Sequence, residues 1–285
     1  MLPESVPTDP RLERAKRSIR TPEEYVQHPF AKGDGEASFI VDIAHGEKRI
    51  VYFGSTHTNH PDHPVFDEIA KAFDEAQPEI VYVEGMEQIN DNVEQVRKRV
   101  ATMSLEEAKK RGESYFTLKL AVDAGIPFES PEPHHRSEIE HLLHKQFPKN
   151  EIFLFYMYRV IAQYQRTHDT KSKEGCMEYL KPYIDFFTKE SAWPPEEIAS
   201  LVTDLQQKLD VNDESYGELV DPMPWEGRPR SMTNEIAAAS GHFRDEYALE
   251  RLEAGLKSHN RLFAVYGSGH AVRLELSLRV LLVKE

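Results

Sequence analysis

Two distant stretches of the chain carry the same arrangement of reactive side chains. KRIVYFGSTHTNHP, residues 48 to 61, and RLFAVYGSGHAVRLE, residues 261 to 275, each pass from an apolar run into Gly-Ser, one further residue and a histidine, His57 and His270. Two acids follow similar apolar runs, Glu84 in PEIVYVEGM and Glu132 in IPFESPEP. Two imidazoles with one or two carboxylates form a ligand set for a divalent metal such as zinc, manganese, cobalt or iron, with positions left open for water and substrate. The reaction this implies is hydrolysis. A bound metal lowers the pKa of its water and polarises a carbonyl, while a nearby carboxylate or histidine takes the proton. His57, Glu84, Glu132 and His270 are therefore the candidate metal residues. The glycine before each serine suits a tight turn where backbone or ligand comes close.

Plainer readings stand beside these. A single histidine at a strand end is usually a hydrogen-bonded structural residue, and it is the repeated context that favours function. Glu84 fits an exposed turn or a working carboxylate, but in YVEG it brings a charge next to buried backbone. NHPDHP supplies His60 and His63, and PHHR supplies His134, His135 and Arg136; neither spacing matches HExxH or a zinc finger, which makes them rim residues. Arg244 and Asp245, in GHFRDEYALERL, read as a solvated helix pair. There is no GxSxG elbow and no GxxxxGK loop. GSGHAV is a partial GxGxxG with Val272 at the third glycine, and too little chain follows it for a dinucleotide fold.

These groups need elements that bring them together. ASFIVDIAHGEKRIVYFGS has two apolar runs around HGEK and reads as a β-hairpin. HPVFDEIAKAFDEAQ places Val65, Ile69, Ala72, Phe73 and Ala76 on one helical face, with Pro64 suited to the first turn. PEIVYVEGM is a short buried strand, so Ile50 to Phe53 and Ile80 to Val83 should lie parallel. SLEEAKKRGESYFTLKLAVDAG is helical, with Ser104 and Glu107 as a capping box, and IPFESPEP is a third strand. The stretch from about 136 to 230 reads as a helical insertion. In it EIFLFYMYRVIAQYQ is apolar nearly all round, which requires cover as a core helix, a cleft wall or a homodimer contact. DVNDESYGELVDPMPWEGRPRS has loop character, as a surface loop or a lid. MTNEIAAASGHFRDEYALERLEAGLKSHN reads as one or two helices, broken or kinked near Gly241, before the strand RLFAVYG and a closing helix. Residues 1 to 36 read as an extended arm. The expected fold is α/β: one domain over 37 to 285, with a mixed, largely parallel central sheet flanked by helices. Ligands bind beyond the carboxyl ends of such strands, where His57, Glu84, Glu132 and His270 all fall.

Composition narrows the partners. A formal charge of −14 opposes nucleic acid, whose phosphates an acidic surface repels. The single Cys176 excludes an intrachain disulfide and a cysteine-based zinc cluster. No stretch reaches the ~18 uninterrupted apolar residues of a membrane span, and the N-terminus lacks a signal-peptide core. The expected setting is cytoplasmic, without a membrane.

FGSTH with His57, VYVEG with Glu84, FRDEYALERL with Arg244 and FAVYGSGH with His270 together resemble the TraB/Tiki group, within a superfamily that also holds erythromycin esterase-like and ChaN-like haem-binding proteins. The resemblance covers roughly residues 37 to 86 and 231 to 283. It implies that the two G-x-x-H elements meet in one cleft. Tiki-type members imply a metal-dependent protease in which His57, Glu84 and His270 hold the metal or its water and Arg244 stabilises negative charge. Erythromycin esterase-like members imply a histidine general base and no required metal. ChaN-like members imply haem or small-ligand binding without catalysis, in which Tyr52, Tyr82 or Tyr266 would matter. The chain departs from the group's usual Arg-Asn with Arg244-Asp245, and from its common Leu-Pro-Gly with Ala271-Val272-Arg273. The leading expectation is a metal-assisted hydrolase of amide, peptide or ester bonds, acting on a peptide or small molecule.

Overall fold

The computed structural model describes residues 9–32, 37–86, 89–168, 170–190 and 193–283. The first surprise is the N-terminal segment. Where described it is helical, with α1 (Pro10–Arg17) and α2 (Pro22–Gln27), rather than extended. Its prolines begin helices instead of preventing them, because proline's fixed φ suits the first turn and its missing N–H is not needed there. Asp9 accepts from the Arg11 N–H, and Thr21 with Glu24 forms a capping box. Leu12, Ala15 and Ile19 are buried. The rest of the expected arm, residues 1–8 and 33–36, lies outside the described residues.

β1 (Phe39–His45) and β2 (Lys48–Ser55) form the expected antiparallel hairpin, turning at Gly46, whose φ of 60° favours glycine. α3 (Val65–Ala76) and β3 (Ile80–Val83) follow, then α4 (Val93–Ala101). The next helical run divides into α5 (Leu105–Lys109), with the Ser104–Glu107 capping box, and α6 (Glu113–Asp123). They part at Gly112, at φ 94°. β4 is only Phe128–Glu129.

α7 (His135–His144), α8 (Lys149–Thr167), α9 (Lys173–Glu190), α10 (Pro195–Lys208) and α11 (Tyr216–Leu219) come next. α12 (Met232–Ser258) runs through Gly241 without a break, since one glycine inside a long helix costs only ~1 kcal/mol. β5 (Arg261–Gly267) and α13 (Ser268–Leu282) close the chain.

The chain divides into two compact units, Met1–Pro133 with Arg244–Glu285, and His134–Phe243. In the first, five strands form a mixed, mostly parallel sheet in the order β1-β2-β5-β3-β4, with only the β1 pairing antiparallel. β2 and β3 are parallel as expected but not neighbours. β5 enters between them, pairing Ile50 with Leu262 on one side and Ile80 with Leu262 on the other. Alternate residues of the buried strands face opposite sides. Val51, Phe53, Val81, Phe263 and Val265 pack with Phe66, Ile69 and Phe116 of α3 and α6. Tyr52, Tyr82, Ala264 and Tyr266 pack with Leu12, Leu249, Leu252 and Leu274 of α1, α12 and α13.

The second unit has its own core, in which Phe153, Tyr156, Met157 and Ile161 of α8 meet Leu180 and Phe187 of α9 and Ile198 and Leu205 of α10. This explains why α8 is apolar nearly all round. The stretch before α12, expected as a loop or lid, contains α11 and is pinned: Asp221 accepts from Trp225 Nε1 at 2.7 Å and Arg228 Nη1 at 2.9 Å, and its carbonyl accepts from Asn234 Nδ2 at 2.9 Å. Among the described residues, no helix is long and apolar enough to cross a membrane.

Candidate functional site

Strand register decides where the two histidines emerge. Gly54 pairs with Tyr266 and Ser55 with Gly267 on the adjacent parallel strands β2 and β5, so the two Gly-Ser-x-His elements leave the sheet side by side, one residue out of step. Glu84 follows β3, the other neighbour of β5. The first unit thus gathers His57, His270 and Glu84 at the carboxyl ends of three contiguous parallel strands, the usual ligand-binding edge of such a sheet.

Glu84 is the hub. Its Oε2 accepts the Gly267 N–H at 2.6 Å, and its Oε1 accepts from Arg244 Nη2 at 3.0 Å. Arg244 also grips Glu132 in a fork, Nε to Oε2 at 2.7 Å and Nη2 to Oε1 at 2.9 Å. Such bidentate, charge-assisted pairs are strong and geometrically specific. Burial would raise the pKa of Glu84, but the charges of His270, His57 and Arg244 and the Gly267 N–H outweigh it and lower the pKa from the ordinary 4.5 to about 2.

Each histidine has its own carboxylate behind it. His270, in the first turn of α13, sets Nδ1 against Asp245 Oδ1 at 2.5 Å and its Nε2 3.6 Å from Glu84 Oε1. Asp245 is 1% exposed; burial would raise its pKa, but Arg273, His270 and Arg244 reverse this and keep it low. His57 is different. Its side chain is 70% exposed, and its Nδ1 lies 3.6 Å from Oε2 of the buried Glu113, which also accepts the Thr58 N–H. Gly267 lies between the His57 ring and Glu84: a Cβ there would lie 3.0 Å from His57 Nε2 and 3.4 Å from Glu84 Oε2. His57 and Glu84 therefore face one small space that only glycine leaves open.

The expected site residues His57, Glu84, His270, Arg244 and Glu132 all sit in this network. Both Glu132 oxygens accept from Arg244, so Glu132 anchors the guanidinium. Among the described residues, no group of three or more His, Cys, Asp or Glu side chains is placed to hold a metal ion. A cation drawing on His57, Glu84 and His270 would also meet the like charge of Arg244, which already occupies a Glu84 oxygen.

The histidines expected at the rim lie at other places in the fold. His63 Nδ1 accepts the Val65 N–H at the start of α3, His60 is exposed, and His134 stands at the N-terminus of α7. Arg136 pairs with Glu140 one turn along α7. Tyr52, Tyr82 and Tyr266 are buried, and burial pushes the phenols of Tyr52 and Tyr266 well above 10, so they stay neutral.

Glu113, Asp245 and Arg273 went unrecognised in the sequence. For Asp245 a signal existed: with Leu249, Leu252 and Leu256 it lies at i, i+4, i+7 and i+11, which puts it on the buried stripe of α12. Glu113 had no such mark among the many acids of the chain. A comparison of the chain with protein-family models, curated proteins and solved structures found no match.

Proposed function

We propose that the protein hydrolyses an amide, peptide or ester bond in a peptide or small molecule, with histidine as the base that activates water. One observation carries this reading: two histidines, each backed by a carboxylate, flank the same half-buried Glu84, His57 across the space left by Gly267 and His270 at 3.6 Å. His57 is the base. Glu113 lies behind its Nδ1, so Nε2 can take a proton from a water in that space, and the exposed ring is open to substrate. His270, braced by Asp245, handles the proton of the leaving group. Glu84, held ionised, stabilises positive charge on either ring as protons move, and Arg244 with Glu132 keeps it in place.

A second reading is supported by His270 Nε2, 3.6 Å from Glu84 Oε1, and by His57 Nε2 and Glu84 Oε2, which border the same space at Gly267. In that reading His57, Glu84 and His270 hold zinc, manganese, cobalt or iron, which would supply an activated water. The TraB/Tiki resemblance leans to this form, and the erythromycin esterase-like one to the first. Haem binding is less supported, since its candidate tyrosines are all at most 2% exposed.

The test is turnover of p-nitrophenyl esters and a mixed peptide pool, with and without excess chelator. The metal-free mechanism expects chelator-resistant turnover that falls about 10²–10⁴-fold in His57→Ala. Turnover lost in chelator and restored by one of the four metals establishes the second reading. Full activity in both His57→Ala and His270→Ala removes the site proposed here.

A further inference from the structure

Behind His270 lies a buried cation that the mechanism above does not use. Arg273 is one turn further along α13 and 3% exposed, and its Nη1 lies 2.9 Å from Asp245 Oδ2. Asp245 therefore has one oxygen hydrogen-bonded to the histidine and the other in an ion pair with the arginine, without hydrogen-bond geometry among the described residues. Its carboxylate cannot turn without losing one of them. The arginine is fixed from its far side by the N-terminal segment: Arg273 Nε donates to the Arg20 carbonyl at 3.2 Å, and the Arg20 N–H donates to the Arg273 carbonyl at 3.0 Å. The Arg20 side chain also donates to the Val272 carbonyl and pairs with Glu275 at 2.9 Å.

A purely structural role explains this poorly. Buried ion pairs seldom stabilise more than apolar residues of the same size would. Arg273 Nη2 is moreover buried with no hydrogen-bond partner among the described residues, an arrangement with a stability cost. What the pair does achieve is orientation. With Asp245 locked on Nδ1, the ring of His270 presents Nε2 to Glu84 and the reaction space.

We infer that Arg273 is a positioning residue, which through Asp245 fixes the ring orientation and tautomer of His270, and that the N-terminal segment anchors it through Arg20. The inference rests on the hydrolase reading for its purpose, but its physical content can be measured without a substrate. Long-range proton–nitrogen correlation spectra of the full chain report which ring nitrogen of each histidine carries a proton, and His270 is assigned by the signals lost in His270→Gln. The expected result is a proton on Nδ1 of His270 in the unaltered protein. In Arg273→Met and Arg273→Gln the two ring-nitrogen shifts converge, as the ring samples both tautomers. Arg273→Lys retains the original pattern. An unprotonated Nδ1 in the unaltered protein overturns the inference without any variant, so it stays testable even if the neutral variants do not fold. Unchanged His270 shifts in a folded Arg273→Met or Arg273→Gln overturn it as well. A chain with no hydrolytic activity that nevertheless shows the expected spectra supports this inference and breaks only the hydrolase reading.

Discussion

The two Gly-Ser-x-His elements are nearly the same in sequence and unlike in burial, in the element that follows and in how closely each histidine is held. His57 leaves β2 into a loop and is 70% exposed, with Glu113 at 3.6 Å. His270 leaves β5 straight into α13 and is 17% exposed, with Asp245 at 2.5 Å. Their glycines differ as well. A Cβ on Gly54 would meet the Ala271 Cβ at 2.6 Å, the Phe39 carbonyl at 2.7 Å and the Ser268 Cα at 2.9 Å, so this glycine lets α13 lie against the hairpin. The three atoms nearest a Cβ on Gly267 would be side-chain atoms of His57 and Glu84. A short motif therefore specifies where a histidine leaves a strand. Its burial, partner and freedom to move come from what packs over it.

Substitutions can break this comparison, and the largest effect is expected where both elements share a support. Arg244→Met leaves Glu84 and Glu132 buried without their cation and should cost about 3–5 kcal/mol in urea unfolding. A loss below ~1 kcal/mol would show that the two histidines have no common base. The glycines come next. Gly54→Ala should cost about 1–3 kcal/mol by overpacking against backbone, with activity lost only as folded protein is lost. Gly267→Ala, at an ordinary φ of −57°, should unfold almost as the unaltered protein does while turnover falls about 10²-fold, because the methyl displaces His57 or Glu84. Equal stability losses in the two variants would erase the distinction.

Truncating the histidines gives a smaller contrast in stability. His270→Ala strands a buried Asp245 oxygen and should cost about 1–3 kcal/mol, whereas His57→Ala should stay within ~0.5 kcal/mol, as exposed positions do. The last contrast is in acid. Glu84 has its pKa lowered from 4.5 to about 2 in the folded chain, so its contribution to stability is complete above pH 4.5 and is lost as the pH falls towards 2. Urea unfolding of Glu84→Gln across that window should show a shallower loss than the unaltered chain. Parallel curves would mean that Glu84 titrates alike folded and unfolded.

Much of the fold was legible because period and punctuation agree. The hairpin around Gly46, the amphipathic α3, the Ser104–Glu107 cap and the apolar strands β2, β3 and β5 each announce themselves over a few residues. The helical N-terminal segment did not, because proline disfavours helix interiors and favours helix starts, and composition alone does not separate the two. Nor did the place of β5, since strand order is a matter of long-range pairing. In the site, His57, Glu84 and His270 were readable from strand ends. Asp245 was half readable from its stripe on α12. The hold of Glu132 on Arg244 was not readable, and Glu113 and Arg273 were not found, because a charge on a helix looks the same whether it faces water or a buried partner.

By itself, the sequence determined that two histidines and two acids would end apolar strands, since alternation, glycine and helix periodicity act locally and leave marks a few residues long. Only the tertiary structure decided that β5 lies between β2 and β3, that Arg244 holds Glu84 and Glu132 together, and that Asp245 and Arg273 stand behind His270. Those pairings join residues far apart in the chain. They follow from the need of each buried charge for a partner, which a charge meets only after the chain has closed around it.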